Sequence, residues 1–155
     1  MRHLLPLLLI SLTLSCGGPT DEDRIRNLIA DGEAAAEAGN LRALTSLLDE
    51  NYSDAEGRDK RAVVGMLALY LQQTPAPHVA TGIRRIEIDS ANEARAVVVV
   101  AVTDTLWTDP RNLRELRADL QTLNLRLIRR SGRPWRIVAV EAKPAEVSDL
   151  IDLLR

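Results

Sequence analysis

Two hydrophobic periods divide the chain. From Thr20 to Pro77 apolar residues recur three and four apart, the spacing of one helical face, and after Pro77 they recur at every second position, the spacing of a strand. Ile25, Leu28, Ile29, Gly32, Ala35 and Ala36 form the stripe of a first helix. Thr20 with Asp23 is a capping-box pattern, and the acids at 21–23 suit the positive end of a helix. Gly39 supplies a left-handed stop, and Asn40 caps a second helix that carries Leu41, Leu44, Leu47 and Leu48 and runs out near Asn51-Tyr52. A third helix follows Gly57 with Val63, Met66, Leu67, Tyr70 and Leu71 on one side, and Pro75 and Pro77 stop it.

Four strands are expected next. Val79–Asp89 has its alternation broken at Arg84-Arg85, which implies a bulge. Glu93–Thr105 follows, then Arg117–Arg130, whose apolar phase shifts between Leu120 and Leu123 and implies a second bulge or sharp bend. The turn Ser131-Gly132-Arg133-Pro134 leads into Trp135–Ala142. Residues 108–116 fit a helical turn as well as a long hairpin loop. Pro144 opens a last amphipathic helix with Val147, Leu150, Ile151 and Leu154 on one stripe. Helices first and an antiparallel sheet afterwards make an α+β domain. In the second strand both alternating faces are apolar, Val98, Val100 and Val102 on one and Val97, Val99 and Ala101 on the other. Such a strand is covered on both sides, and the helices can cover only one. The other cover is either the last helix or a second copy of the sheet, and the reading leans slightly to a homodimer.

The N-terminus carries an address. Met1-Arg2-His3 precedes an uncharged run from Leu4 to Ser15, which is too short for the roughly 20 residues that span a bilayer. Its ending, Leu12-Thr13-Leu14-Ser15-Cys16-Gly17, resembles a bacterial lipobox, with Thr13 where Leu is usual. The expected division is a signal peptide over 1–15, a tether over 16–20 and a domain from Asp21. Cys16 is the only cysteine, and lipidation accounts for a lone thiol in an exported chain; a plain secretory signal followed by a free thiol is the alternative. The chain is therefore expected to be exported and lipid-anchored to the envelope membrane through Cys16, its domain facing the periplasm.

Charge and composition mainly exclude. With 22 acids against 20 bases there is no dominant basic face, so no nucleic-acid partner is expected. His78, placed in the loop before the first strand, is the one histidine after the signal, so neither a histidine metal set nor a histidine-activated nucleophile can be assembled, and no metal or cofactor is expected. Phenylalanine is absent, so any cavity is lined mainly by Leu, Ile, Val and Ala. Asp104, on the strand face of Val98, Val100 and Val102, is the one weak candidate for a catalytic carboxylate; at a strand end, solvation is its ordinary fate. Tyr52, Tyr70 and Trp107 are weak pocket-lining candidates, and Trp135 reads as a structural anchor.

The phrases Ala38-Gly39-Asn40-Leu41-Arg42-Ala43-Leu44, Asp49-Glu50-Asn51-Tyr52 and Gly132-Arg133-Pro134-Trp135-Arg136-Ile137-Val138, in this order of elements, resemble the nuclear transport factor 2-like superfamily, whose relatives include ketosteroid isomerases and polyketide cyclases. The resemblance covers about residues 21–142, leaving 143–155 to the C-terminal helix. It implies a cystatin-like cone in which a curved sheet wraps the helices and leaves a pocket. Such cones serve enzymes and binding modules alike. The expected function is a non-catalytic, lipid-anchored envelope domain that binds a small apolar ligand or a protein partner. The alternatives are a cyclase- or isomerase-type enzyme with a pocket carboxylate, and an accessory subunit of an envelope complex.

Overall fold

Thr20 caps the first helix reciprocally: Asp23 N donates to Thr20 Oγ1 at 3.1 Å while Thr20 N donates to Asp23 Oδ2 at 2.9 Å. This box starts α1 (Asp21–Glu37) in a computed structural model that describes residues 18–103, 119–146 and 148–149. There follow α2 (Leu41–Leu47), α3 (Lys60–Gln73), β1 (His78–Ile88), β2 (Glu93–Thr103), β3 (Asp119–Ile128) and β4 (Arg136–Pro144). The strands form one antiparallel sheet in the order β1-β2-β3-β4, so every neighbour in space is a neighbour in sequence. The α+β architecture read from the periodicity stands.

The core lies between α1 and the even-numbered side of β2. Ile25, Leu28 and Ile29 meet Ala94, Ala96 and Val98, with Leu125, Leu127 and Trp135 closing the cluster. Trp135 is the anchor of the closed end. Its Nε1 donates to Asp21 Oδ1 at 3.4 Å, and the Arg129 guanidinium stacks 4.8 Å from its ring centre while also gripping Asp21 and the Ala91 carbonyl. The start of α1 is thus tied to the turn between β3 and β4.

Five expectations need correction. His78 is not a loop residue; it is the first residue of β1, paired with Thr103. The second helix ends at Leu47, because Leu48 turns extended and pairs with Ile137 along the outer edge of β4. The β2–β3 register runs unbroken from Glu93↔Ile128 to Val102↔Asp119, so no bulge separates Leu120 from Leu123. The second irregularity lies between β3 and β4, where Arg126↔Ala139 is followed by Leu127↔Ile137 and Val138 is left without a partner. Pro144 ends β4 instead of opening a helix, and Trp135 stands just before the strand. The bulge at Arg84 does appear, between Ile83 and Arg85. The rest of the expected last helix, and strand residues 104–105 and 117–118, lie outside the described residues.

The outer face of β2 is dry at one end. Val99 is 0 % and Ala101 5 % exposed within a single chain. Past β4, Ala145 N donates to the Leu120 carbonyl at 3.0 Å, and Asp149 pairs with Arg84 of β1 at 2.6 Å.

Both edges of the sheet are capped. On β4, the amides of Asp49 and Ser53 donate to the carbonyls of Ile137 and Val138 at 2.8 and 3.0 Å. On β1, Glu37 and Glu33, one helical turn apart on α1, accept from the amides of Val79 and Thr81 at 3.2 and 3.0 Å. Unpaired edge amides invite strand addition, and these carboxylates remove two of them.

Asp49 holds the α2 end to the β3–β4 turn. It is 7 % exposed and accepts from Arg130 Nη2 at 3.0 Å and from Asn51 N at 2.9 Å. Burial works to raise its pKa, but the bonds and charge of Arg130, with the Asn51 amide, prevail and hold it below the ordinary aspartate value. A carboxylate with a depressed folded pKa contributes stability above its unfolded pKa, and that contribution is lost as pH falls through the folded one. In Arg130→Gln the largest of the opposing interactions is lost and the folded pKa rises. The acid-unfolding midpoint followed by circular dichroism should move to higher pH; an unmoved midpoint would show that the pair contributes nothing.

Candidate functional site

Between the helices and the sheet lies a cavity of about 300 Å3. Even-numbered β2 residues Val98, Val100 and Val102 form its floor, with Leu123 and Leu125 of β3 beside them. Leu28, Ile29, Gly32 and Ala36 of α1, Leu44 and Leu47 of α2, and Leu67, Tyr70 and Leu71 of α3 complete the wall. Among the described lining residues only Glu33, Tyr70 and Thr81 are polar. Small residues make the space: at Gly32 a Cβ would sit 3.3 Å from Leu47 Cδ1, so α1 and α2 approach closely there.

The carboxylate in this wall is already engaged. Glu33 Oε2 accepts from both the amide and the hydroxyl of Thr81. Sequence reasoning missed Glu33 and Thr81, although Ile29, Glu33 and Glu37 fall four apart on α1, beginning at a buried residue. Tyr70 lines the cavity while remaining 43 % exposed. Tyr52, 5 % exposed, does not reach the cavity and lines a side groove with Asp54, Glu56, Arg58, Met66 and Tyr70. Asp104, Trp107 and Cys16 lie outside the described residues. Val98, Val100 and Val102, the residues whose parity placed Asp104 on the pocket side, do face the cavity. Among the described residues no group of His, Cys, Asp and Glu could hold a metal ion, and no helix is long and apolar enough to cross a membrane.

An open meander curled around three helices over an apolar pocket has many solved counterparts. A cystatin-like domain of unknown function from Nostoc punctiforme superposes with a TM-score of 0.66 at 12 % identity, over 89 % of this chain and 85 % of that one. An NTF-2 like protein of unknown function from Shewanella oneidensis gives 0.58 at 18 % identity, over 79 % and 98 %. The fold is the NTF2-like, cystatin-like cone. A third member of this cone, from Streptomyces avermitilis and ascribed to the dehydratases of the NTF2-like family, gives 0.62 at 15 % identity, over 83 % and 99 %. No protein-family model matches the sequence, and no curated protein matches it either. At these identities the likeness speaks for the cone alone.

Proposed function

We propose that this chain is a lipid-anchored envelope protein of non-catalytic type whose cone holds a small apolar ligand. The cavity carries the reading. Its volume of about 300 Å3 is at the low end for small-molecule sites, and its wall is aliphatic apart from three residues. The one carboxylate in that described wall supports the edge of β1 through Thr81, so it is occupied as a wall element. Binding is then driven by removing apolar surface from water, without a reacting group. An enzyme of cyclase, isomerase or dehydratase type is the competing reading, favoured by the Streptomyces avermitilis neighbour and by the sequence parity that Asp104 shares with Val98, Val100 and Val102.

Filling the cavity tests this. Val100→Phe places a ring into the space from β2. It should weaken saturable binding of the neutral fluorophore N-phenyl-1-naphthylamine by about tenfold or more, the effect of roughly 1.4 kcal/mol, with little change in melting temperature. Unchanged binding in the variant would remove the cavity as the site.

Anchoring rests on the run from Leu12 to Cys16. Several acyl chains hold a protein far more firmly than the marginal grip of one. From Cys16 to Asp21 the chain spans at most roughly 20 Å at about 3.5 Å per residue, which would keep the cone near the bilayer. Cys16→Ser should move the protein to the soluble fraction. A variant that still sediments with membranes and incorporates labelled palmitate would contradict the anchor.

A further inference from the structure

The cavity has a polar neighbour. Leu67 and Tyr70 of α3 and Val140 of β4 line both the cone and the side groove of about 240 Å3, so the two spaces abut across the seam between helix and strand. None of the 14 residues of α3 is buried, so its side chains can move aside at little packing cost. The groove differs from the cone in kind. It gathers Tyr52 and Tyr70, the carboxylates of Asp54 and Glu56, and a single guanidinium, Arg58.

That polar set is built before any ligand arrives. Asp54, whose side chain is 3 % exposed, accepts from the amides of Glu56 and Arg58 at 3.0 and 2.8 Å and from Arg58 Nε. Arg58 Nη2 donates to Glu56 Oε2 at 2.8 Å. Two carboxylates therefore share one cation, leaving the described groove one negative charge in excess. Burial works to raise the Asp54 pKa, but the bonds and charge of Arg58 hold it below its ordinary value, while burial and the Asp54 charge push the Tyr52 phenol up. At neutral pH the groove presents ionised Asp54 beside a neutral phenol. A carboxylate head would meet this excess negative charge, which an uncharged head would not. A hydroxyl or ester head can exchange hydrogen bonds with phenol and carboxylate without a charge penalty.

Given the cone as the ligand site, we propose that the ligand is a single-chain amphiphile whose polar head carries no negative charge, its chain in the cone and its head in the groove beside Tyr52, Tyr70 and Glu56. One chain of medium length suits the cavity's volume, and a second has no space in it.

Matched ten-carbon probes test the head. Calorimetric titration of the full chain at pH 7 with 1-decanol and decanoate should show decanol tighter, decanoate weaker by about tenfold from one unit of uncompensated charge. Glu56→Gln changes an exposed side chain and removes that charge, so decanoate should gain several-fold relative to decanol. Decanoate binding as tightly as decanol to the native chain, or an unresponsive Glu56→Gln, would overturn the head-group assignment and leave the cone reading standing. No binding of any probe would overturn both.

Discussion

Trp135→Ala should destabilise the protein by about 3–5 kcal/mol, the range for truncating a large buried aromatic. Trp135 is 2 % exposed and is among the largest fully buried side chains of the described residues. Its loss opens a void against Ile25 and Leu127, removes the ring under Arg129, and takes a donor from Asp21. The void dominates, since a cation over a buried ring contributes about 2 kcal/mol. Against a typical total of about 5–15 kcal/mol the variant stands near the limit of folding. Urea unfolding followed by circular dichroism measures the loss, and a value below about 1 kcal/mol would show that the closed end of the cone is not held there.

Gly39→Ala should cost about 2–5 kcal/mol by a different route. Gly39 ends α1 at φ 62, where its amide donates to the Ala36 carbonyl at 3.0 Å and the next amide, of Asn40, reaches back to Ala35 at 2.8 Å. A non-glycine residue in this region loses about 1–2 kcal/mol. A Cβ would also stand 2.9 Å from the Pro75 carbonyl oxygen, a backbone atom that moves only with the segment after α3, and such overpacking adds about 1–3 kcal/mol. The two contributions separate in a pair of variants. Gly57 has φ 78 with nothing near its Cβ, so Gly57→Ala should lose only the conformational part. Equal losses at the two positions would mean that the Pro75 contact is relieved at no cost.

The elements that were legible in the sequence are those whose determinants are local. The capping box, the stripe from Ile25 to Ala36 and the Gly39-Asn40 stop define α1 within its own residues, and α1 forms where they place it. The bulge at Arg84 shows because it breaks an alternation of polar and apolar residues. The second bulge gives no such sign, since Ile137 to Val140 is apolar on every residue and an extra Val138 changes no phase. The apolar shift between Leu120 and Leu123 has another cause. Leu120 pairs with Ala101 on the covered outer face and Leu123 with Val98 on the cavity face, so both are apolar in an unbroken strand. The end of α2 depends on Leu48 meeting Ile137, a pairing across 89 positions that no local pattern announces.

The candidate site follows the same rule. The parity of Val98, Val100 and Val102 identified the cavity floor, because alternation is a local property. Glu33 was passed over because a glutamate within a helix reads as solvated, and the Thr81 that binds it lies 48 residues on. Tyr52 and Tyr70, both weighed as pocket residues, fall in adjoining spaces that share Tyr70, a division set by how α3 lies along β4.

Occupancy of the cone is the central claim, and native mass spectrometry of the protein extracted from its own membrane tests it most directly. The account predicts a retained small apolar molecule, released on collisional activation, whose mass is absent from the Val100→Phe variant prepared in parallel. A protein that carries no such molecule in either form, or the same one in both, would contradict it.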